Sequence, residues 1–235
     1  SEPAPSGFTD LCIVTPVDVE FKIAASLLSG KSFSEEPPWE RRRPRLPAPE
    51  EDLLSKPGGE GRLRPQGMKI CRGLFGGRRV TILRSGMGAV GFAERLAKHL
   101  ADSRYDALII AGLAGGLGPR LRVGDAVLYD LCYDARATEF TRRERPGHGE
   151  VATTACDETL SGFLYWALTR SGLSFIQAPG ITVGRIVTEA KEKLALGARY
   201  GAAAVDMETY ETLDACARLR LPAAPLRVIS DGGVR

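Results

Sequence analysis

Residues 202–231 read AAAVDMETYETLDACARLRLPAAPLRVISD, and their pattern decides the fold class. A short apolar run (202–207) predicts a strand. A run of mixed polar and apolar residues (208–220) predicts an amphipathic helix, and APLRVIS (224–230) predicts a second buried strand. Apolar strands that alternate with amphipathic helices are typical of an α/β layer structure with a largely parallel or mixed sheet.

The same alternation continues along the 235 residues. Further strands are predicted at 11–16, 68–75, 78–84, 107–112, 123–135 and 180–187, with a Gly76–Gly77 hairpin turn between the second and the third. Further helices are predicted at 17–28, 90–100, 157–172 and 190–201, where apolar residues recur at helical spacing, as at Val19, Ile23 and Leu27 or at Leu160, Leu164 and Leu168. We expect a single domain over residues 1–235, with a Pro-, Arg- and Glu-rich insertion at about 31–65 that forms no regular packed element.

Composition and charge exclude several classes of protein. The net charge of +3 is small and has no compact basic face, so nucleic-acid binding is not predicted. No apolar run has the length of a membrane span, and the first residues, SEPAPSGFTD, lack the basic and apolar regions of a signal peptide. The five cysteines lie far apart, which favours free thiols in a reducing, cytoplasmic compartment. The two histidines lack metal-ligand spacing, so no metal site is predicted.

A G-x-G-x-x-G pattern at Gly86, Gly88 and Gly91 follows a predicted strand and opens a predicted helix. A dinucleotide site would also need an acidic residue at the end of the next strand, but Asp106, at the required spacing, precedes that strand. The glycines then either permit a tight turn or expose backbone N–H groups to an anion, a ribose oxygen or a water molecule. Because a second glycine turn (111–118) also follows a strand, the two turns predict a ligand crevice at the carboxyl ends of the sheet.

Acidic residues that follow apolar strands are candidates for this crevice: Asp18, Glu20, Glu208 and Asp231. A carboxylate beside a buried strand end needs a partner, a ligand or a change in its protonation. For Asp18 and Glu20 the simpler interpretation is a first-turn carboxylate that interacts with the helix dipole. That interpretation is weaker for Glu208 and Asp231, which both follow apolar strands.

Three segments carry a family resemblance, namely GLFGGRRVTILRSGMGAVGFA (73–93), IIAGLAGGLGPRLRVGDAVLYD (109–130) and residues 202–231. In order and spacing they resemble the purine nucleoside phosphorylase and 5′-methylthioadenosine/S-adenosylhomocysteine nucleosidase superfamily. The stretch ITVGRIV…AVDMET also looks like its branch associated with hopanoid lipid biosynthesis. The resemblance implies a nucleoside phosphorylase-like three-layer fold, with a central mixed, largely parallel sheet flanked by helices. It also implies cleavage of the N-glycosidic bond of a purine nucleoside, of adenosine type and 5′-substituted, through an oxocarbenium-like ribose.

The resemblance assigns roles to particular residues. Asp231 would be the general acid that protonates or hydrogen-bonds purine N7, and Glu208 would accept hydrogen bonds from the ribose hydroxyls. The other predicted substrate-binding residues are Met207 against the sugar, Ala114 and Gly115 beside the base, Ile186 in the wall of the base pocket, and Ser230 and Gly86.

The choice of nucleophile, water or phosphate, rests on fewer residues. Nucleosidases of this superfamily activate water with an acidic residue in the first strand-to-helix turn, and the resemblance places Asp18 there, with Glu20 two positions on. Phosphorylases of this superfamily bind phosphate through arginines, one of which lies just before the second glycine turn. In this sequence residues 110–112 occupy that position and contain no arginine. Arg84 is then the candidate phosphate ligand. These residues favour hydrolysis, with a phosphate-dependent phosphorylase as the alternative.

A non-catalytic nucleoside-binding protein is the alternative of a different class. It is motivated by Leu113, which stands where the family commonly has a small hydroxyl residue, and by the end of the sequence soon after Asp231. The resemblance implies no metal or organic cofactor, phosphate as co-substrate only in a phosphorylase, and a homodimer or higher homo-oligomer. The apolar FLYWAL segment (163–168) suits such an interface, although core packing is its simpler interpretation.

Overall fold

A mixed sheet organises the chain in the computed structural model, which describes residues 8–36, 68–84, 86, 92–136 and 151–231. The strands are β1 (Asp10–Thr15), β2 (Ser29–Glu36), β3 (Met68–Phe75), β4 (Arg78–Arg84), β5 (Ala107–Gly116), β6 (Ala126–Leu128), β7 (Leu131–Asp134), β8 (Thr153–Ala155), β9 (Phe175–Gln177), β10 (Gly180–Thr182), β11 (Ala204–Asp206) and β12 (Ala223–Asp231). The helices are α1 (Asp18–Ser26), α2 (Phe92–Ala101), α3 (Glu158–Ser171), α4 (Ala190–Tyr200) and α5 (Thr209–Arg218).

The long strand β5 lies at the centre of this sheet. The strand order is β2-β3-β4-β1-β5-β11-β10-β7-β8, and β12 also pairs with β5 and connects β6 and β9 to the sheet. Strands β1 and β12 run parallel to β5, whereas β11 runs antiparallel to its last residues, with Val205 opposite Gly115. The carboxyl ends of β1 and β12 therefore meet β5 and β11 at one edge, where open α/β sheets bind ligands.

Helices cover both faces of the sheet and build a three-layer structure. One face packs against α2 and α5, whose Leu96 and Leu213 share a buried cluster with Cys12 of β1. The opposite face packs against α1 and α3 through residues such as Phe21 and Leu160. Since side chains alternate between the faces of a strand, each inner strand is buried on both sides. The predicted α/β class with a central mixed sheet flanked by helices is confirmed.

Several predicted elements are confirmed in detail. The Gly76–Gly77 turn joins β3 to β4 with φ of +57° and +78° at the two glycines, a conformation that glycine adopts without strain. The three leucines predicted on one face of α3 are buried, two of them within the FLYWAL segment, whereas Tyr165 of that segment is 48% exposed. None of the helices in the described part of the chain has the length and apolar character that crossing a bilayer requires.

Other predictions of local structure are wrong. The insertion expected to be irregular from residue 31 begins with β2, which pairs with β3 as an edge strand; its residues 37–67 lie outside the described part. Helix α1 buries Phe21 and Ala25, and Leu28 just after it is buried too. In contrast, Ile23 and Leu27, which share the predicted apolar spacing, are 62% and 63% exposed. Single apolar residues on a short helix do not fix which side faces the core, because tertiary packing decides the phase.

Two predicted strands are shorter than expected. The segment 123–135 divides into β6 and β7, and the strand expected over 180–187 ends at Thr182. Beyond Thr182 the chain leaves the sheet, and its apolar residues Val183 and Val187 line a cavity instead. The apolar run therefore predicted the burial of Val183 and Val187, but Ile186 of the same run is 65% exposed.

Candidate active site

A cavity of about 240 Å³ opens at the carboxyl edge of β1, β5 and β12, beside the turn from β11 to α5. The predicted site residues that line it are Ala114, Gly115, Ile186, Met207, Glu208, Ser230 and Asp231. The other lining residues are Pro16, Val17, Glu20, Leu113, Val183, Arg185, Val187, Val205 and Asp206. Five separate segments of the chain therefore converge on one crevice.

Two predicted site residues, Asp18 and Gly86, do not line this cavity. The carboxylate of Asp18 turns to Lys69 Nζ at 3.1 Å and to Arg84 Nη1 at 3.4 Å. The hydrogen bond from Lys69 and the charge of Arg84 hold the pKa of Asp18 below its usual value. Gly86 follows β4 with a φ of +84°, and Gly88 and Gly91 of the glycine pattern lie outside the described residues. A lowered pKa makes Asp18 a weaker proton acceptor.

Glu20 occupies the place in the crevice that was predicted for Asp18. Its Oε2 accepts a hydrogen bond from the backbone N–H of Val17 at 3.1 Å, and its Oε1 accepts one from that of Leu113 at 2.7 Å. These two bonds fix the carboxylate between the start of α1 and β5. The signal in the sequence is the position of Glu20 in the first turn of α1, where a glutamate reaches back to the residue that precedes the helix.

Asp206 shapes the turn that presents Glu208. Its Oδ1 accepts hydrogen bonds from the backbone N–H groups of Glu208 at 3.1 Å and Thr209 at 3.0 Å, and from the Thr182 hydroxyl at 2.9 Å. Its Oδ2 accepts a hydrogen bond from the Tyr129 hydroxyl at 3.1 Å. The carboxylate therefore caps α5 and ties the turn to two other elements, which holds the buried Glu208 in place.

Arg227, a cation that sequence reasoning missed, lies fully buried beneath the crevice. Its Nε is 3.4 Å from Asp206 Oδ2, its Nη2 is 4.0 Å from Glu208 Oε2, and both nitrogens donate to the Thr209 hydroxyl. Burial alone would lower the pKa of this guanidinium, but the carboxylates of Asp206, Glu208 and Glu20 raise it above its usual value. Arg227 is therefore the permanent positive charge that balances an acidic site.

One nitrogen of Arg227 points to the gap beside Glu20. Within the described residues Nη1 makes no hydrogen bond although it is buried. A Cβ placed on Gly112 would lie 2.6 Å from this Nη1, 3.0 Å from Glu20 Oε1 and 2.8 Å from Pro16. A buried N–H donor and a carboxylate oxygen therefore approach the same point, and only glycine at position 112 leaves room for them.

Asp231 ends β12 on the other side of the crevice. Its side chain is 52% exposed, and its Oδ2 forms an ion pair with the ammonium of Lys193, which is 4% exposed. The neighbouring Ser230 hydroxyl lies 3.4 Å from the carbonyl oxygen of Ala114 and 3.3 Å from Asp231 Oδ1. The carboxylate at the end of β12 is therefore held by Lys193 on one oxygen and by Ser230 on the other.

The mouth of the crevice is apolar. Ile186 is 65% exposed and Leu113 is 46% exposed, and Val183, Val187 and Met207 continue the same surface inward. The arginine at the mouth, Arg185, forms an ion pair with Glu192. Among the residues described, no group of three or more His, Cys, Asp and Glu side chains is placed to share a metal ion. The arrangement offers carboxylates around a small cavity with an open apolar entrance.

Sequence comparisons match this chain to known proteins. The family model described as the phosphorylase superfamily matches residues 45–235. A 5′-methylthioadenosine/S-adenosylhomocysteine nucleosidase from Haemophilus influenzae is 28% identical over 168 residues, which are 70% of this chain and 73% of the relative.

Solved structures share the fold at lower identity. The 5′-methylthioadenosine/S-adenosylhomocysteine nucleosidase of Neisseria meningitidis, in complex with methylthio-immucillin-A, has a TM-score of 0.69 at 21% identity, over 95% of this chain and 86% of that one. The futalosine hydrolase of Helicobacter pylori has a TM-score of 0.69 at 17% identity, over 95% of this chain and 88% of that one.

Proposed function

Since the chain belongs to the phosphorylase superfamily, we propose that it hydrolyses the N-glycosidic bond of a 5′-substituted, adenosine-type purine nucleoside. One observation carries the proposal: Glu20, Glu208 and Asp231 line a single cavity of about 240 Å³, and each carboxylate is held by different partners. The Haemophilus influenzae relative named above is a nucleosidase, which supports the same reaction class.

The three carboxylates divide the reaction between them. Asp231 gives a proton to purine N7 while the bond from C1′ to N9 breaks and its electron pair passes to the base. Glu208 accepts hydrogen bonds from the ribose hydroxyls and stabilises the positive charge that develops on the sugar. Glu20 takes a proton from the water molecule whose oxygen forms the new bond to C1′. The products are the free base and the 5′-substituted ribose.

Charge favours water over phosphate as the nucleophile. Glu20, Asp206, Glu208 and Asp231 all line the cavity, so a phosphate dianion would meet carboxylates at short range. Arg84, the phosphate ligand suggested by the sequence, is engaged by Asp18 and is not a lining residue. The buried Nη1 of Arg227 beside Glu20 offers a donor for a neutral water molecule.

No metal or organic cofactor is needed for this chemistry, because side chains supply the acid, the base and the balancing cation. We therefore expect base release to survive dialysis against EDTA. The five free thiols also support the proposal that the protein works in a reducing, cytoplasmic compartment.

A homodimer or higher homo-oligomer remains part of the proposal. Three exposed apolar side chains support it, Ile23 on α1, Leu27 just after α1 and Phe33 on β2, each more than half exposed. Light scattering coupled to size exclusion measures the mass directly, and a monomer at micromolar concentration would contradict this part.

The test of the function is the release of free base, which is measured by chromatography. The nucleosides are methylthioadenosine, S-adenosylhomocysteine, futalosine, adenosine, inosine and a 5′-alkyl adenosine with a long chain, which the apolar mouth at Ile186 and Leu113 suits. Each is incubated with and without phosphate. We expect release without phosphate from at least one 5′-substituted adenosine, and its loss in Asp231→Asn and Glu208→Ala.

Other results would replace the proposal. Release that requires phosphate would make the protein a phosphorylase. Binding of a nucleoside without any release would favour the non-catalytic alternative. Thermal unfolding of each variant separates loss of chemistry from loss of fold.

A further inference from the structure

We propose that Lys193 is a positioning residue for Asp231, whose ammonium orients the carboxylate and stabilises the negative charge that forms on it when the base leaves. The inference rests on the proposed function, because it concerns the acid of that reaction. Lys193 is not among the residues that line the cavity.

The first argument is the cost of placing a lysine here. Only 3% of Lys193 is exposed, and an ammonium without a partner is expensive to bury. Lys193 is also the fourth residue of α4, in the helix's first turns, where the helix dipole favours acidic over basic side chains. Local structure therefore argues against a lysine at this position, and its carboxylate partner among the described residues is Asp231.

The second argument is the direction from which Lys193 approaches. A Cβ on Gly115 would lie 3.2 Å from Asp231 Oδ1 and 3.6 Å from Lys193 Nζ, so both groups stand over the same glycine of β5. The ammonium binds Oδ2 from the buried side, while the half-exposed carboxylate borders the cavity. Lys193 thus acts on Asp231 from behind and leaves the crevice itself unchanged.

The chemical consequence concerns the state of Asp231 after proton transfer. The form of Asp231 that reacts is the protonated acid, and the ion pair with Lys193 is the form that remains once N7 has taken the proton. A charge that is already in place stabilises this product-like state without reorganisation. The ammonium also fixes the rotation of the carboxyl group, and a misplaced acid costs about 100-fold in rate.

The test is a double-mutant cycle on the full chain with the best nucleoside as substrate. We expect Lys193→Met to lower kcat by about 100-fold while KM changes little, since the variant leaves the cavity lining intact. In an Asp231→Asn background the same substitution should have no further effect on kcat. Lys191→Met, at an exposed position on the same turn, is the matched control and should keep the wild-type kcat.

Chemical rescue separates the charge from the packing. In Lys193→Ala, added methylammonium should restore part of the lost kcat, whereas Lys191→Ala should not respond. A folded Lys193→Met variant with wild-type kcat, or equal losses in both backgrounds of the cycle, would overturn the role of Lys193 alone. A wild-type protein that releases no base from any nucleoside would overturn the proposed function and this role with it.

Discussion

Glu20 and Asp18 are two residues apart at the start of α1, yet their carboxylates meet different neighbours. Glu20 accepts two backbone hydrogen bonds at the cavity, whereas Asp18 neutralises Lys69 and Arg84. We expect Glu20→Gln to lower kcat by about 10²–10⁴-fold, because a glutamine accepts no proton from water. Asp18→Asn should keep a kcat near wild type. Steady-state kinetics of the two variants decides between them, and the opposite ranking would return the role of base to Asp18.

Some residues of the site could be predicted from the sequence and others could not. Glu208 and Asp231 were predicted because a strong motif ties each to the end of an apolar strand. Lys193 and Arg227 were missed because their partners lie more than fifteen residues away in sequence and meet them only through tertiary packing. Single-sequence patterns carry spacing, and an ion pair between distant elements leaves no spacing to detect.

Gly180 gives a second prediction at the scale of one residue. A Cβ at this position would lie 1.9 Å from the ring of Tyr129, which is fully buried and cannot swing away. We expect Gly180→Ala to lower the free energy of unfolding by about 1–3 kcal/mol or more, through overpacking. The matched control is Gly162→Ala on α3, where an added Cβ meets nothing within 4 Å. This substitution should stabilise the helix by about 0.5–1 kcal/mol. Urea denaturation measures both, and equal effects would contradict the clash.

At the scale of elements, Asp106 ties the start of β1 to the start of β5. Its Oδ2 accepts hydrogen bonds from the backbone N–H of Thr9 at 2.8 Å, the Thr9 hydroxyl at 2.9 Å and the backbone N–H of Asp10 at 2.9 Å. The hydrogen bonds from Thr9, followed by the one from Asp10, lower the pKa of Asp106 below its ordinary value of 3.8. A lowered pKa in the folded state means that the stabilisation is complete above that ordinary value and is lost as the pH falls through the folded value.

Asp106→Asn should therefore be less stable than the wild type at pH 7, and the difference should shrink as the pH falls below about 4. Urea denaturation at a series of pH values measures it. Asp102→Asn, at an exposed position just after α2, serves as the control and should change stability less. A difference that grows towards acid pH would show that Asp106 stabilises the fold in its protonated form instead.

The elements themselves were largely predictable, since strands and helices follow apolar periodicity. The predictions were wrong about which side of a helix faces the core and about where a strand ends. Helix α1 turns Phe21 to the core instead of Ile23, and the segment after Thr182 leaves the sheet to line the cavity. Both outcomes depend on what covers each surface in three dimensions, and an apolar pattern records that a side chain is buried but not against which neighbour.

At the scale of the whole molecule, buried cysteines lie in the core on both faces of the sheet. Cys12, Cys132 and Cys216 belong to the cluster on one face of the sheet, and Cys71 belongs to the cluster beneath α1 on the other. Burial raises the pKa of Cys216 to about 12 and those of Cys12 and Cys132 well above their usual value. Because the thiolate is the reactive form, these thiols should react only when the core opens.

Cys156 is the partly exposed exception, although burial also raises its pKa to about 12. With an aromatic disulfide reagent at pH 8, we expect at most one thiol of the native protein to react quickly, and Cys156→Ser should remove that phase. The remaining thiols should react at a rate that follows global unfolding, so a substrate analogue that binds the crevice should slow them all. In denaturant all five should react at once. Fast reaction of several thiols in the native protein would mean that one layer opens separately from the other, and the identity of the modified cysteines would show which helix layer is loose.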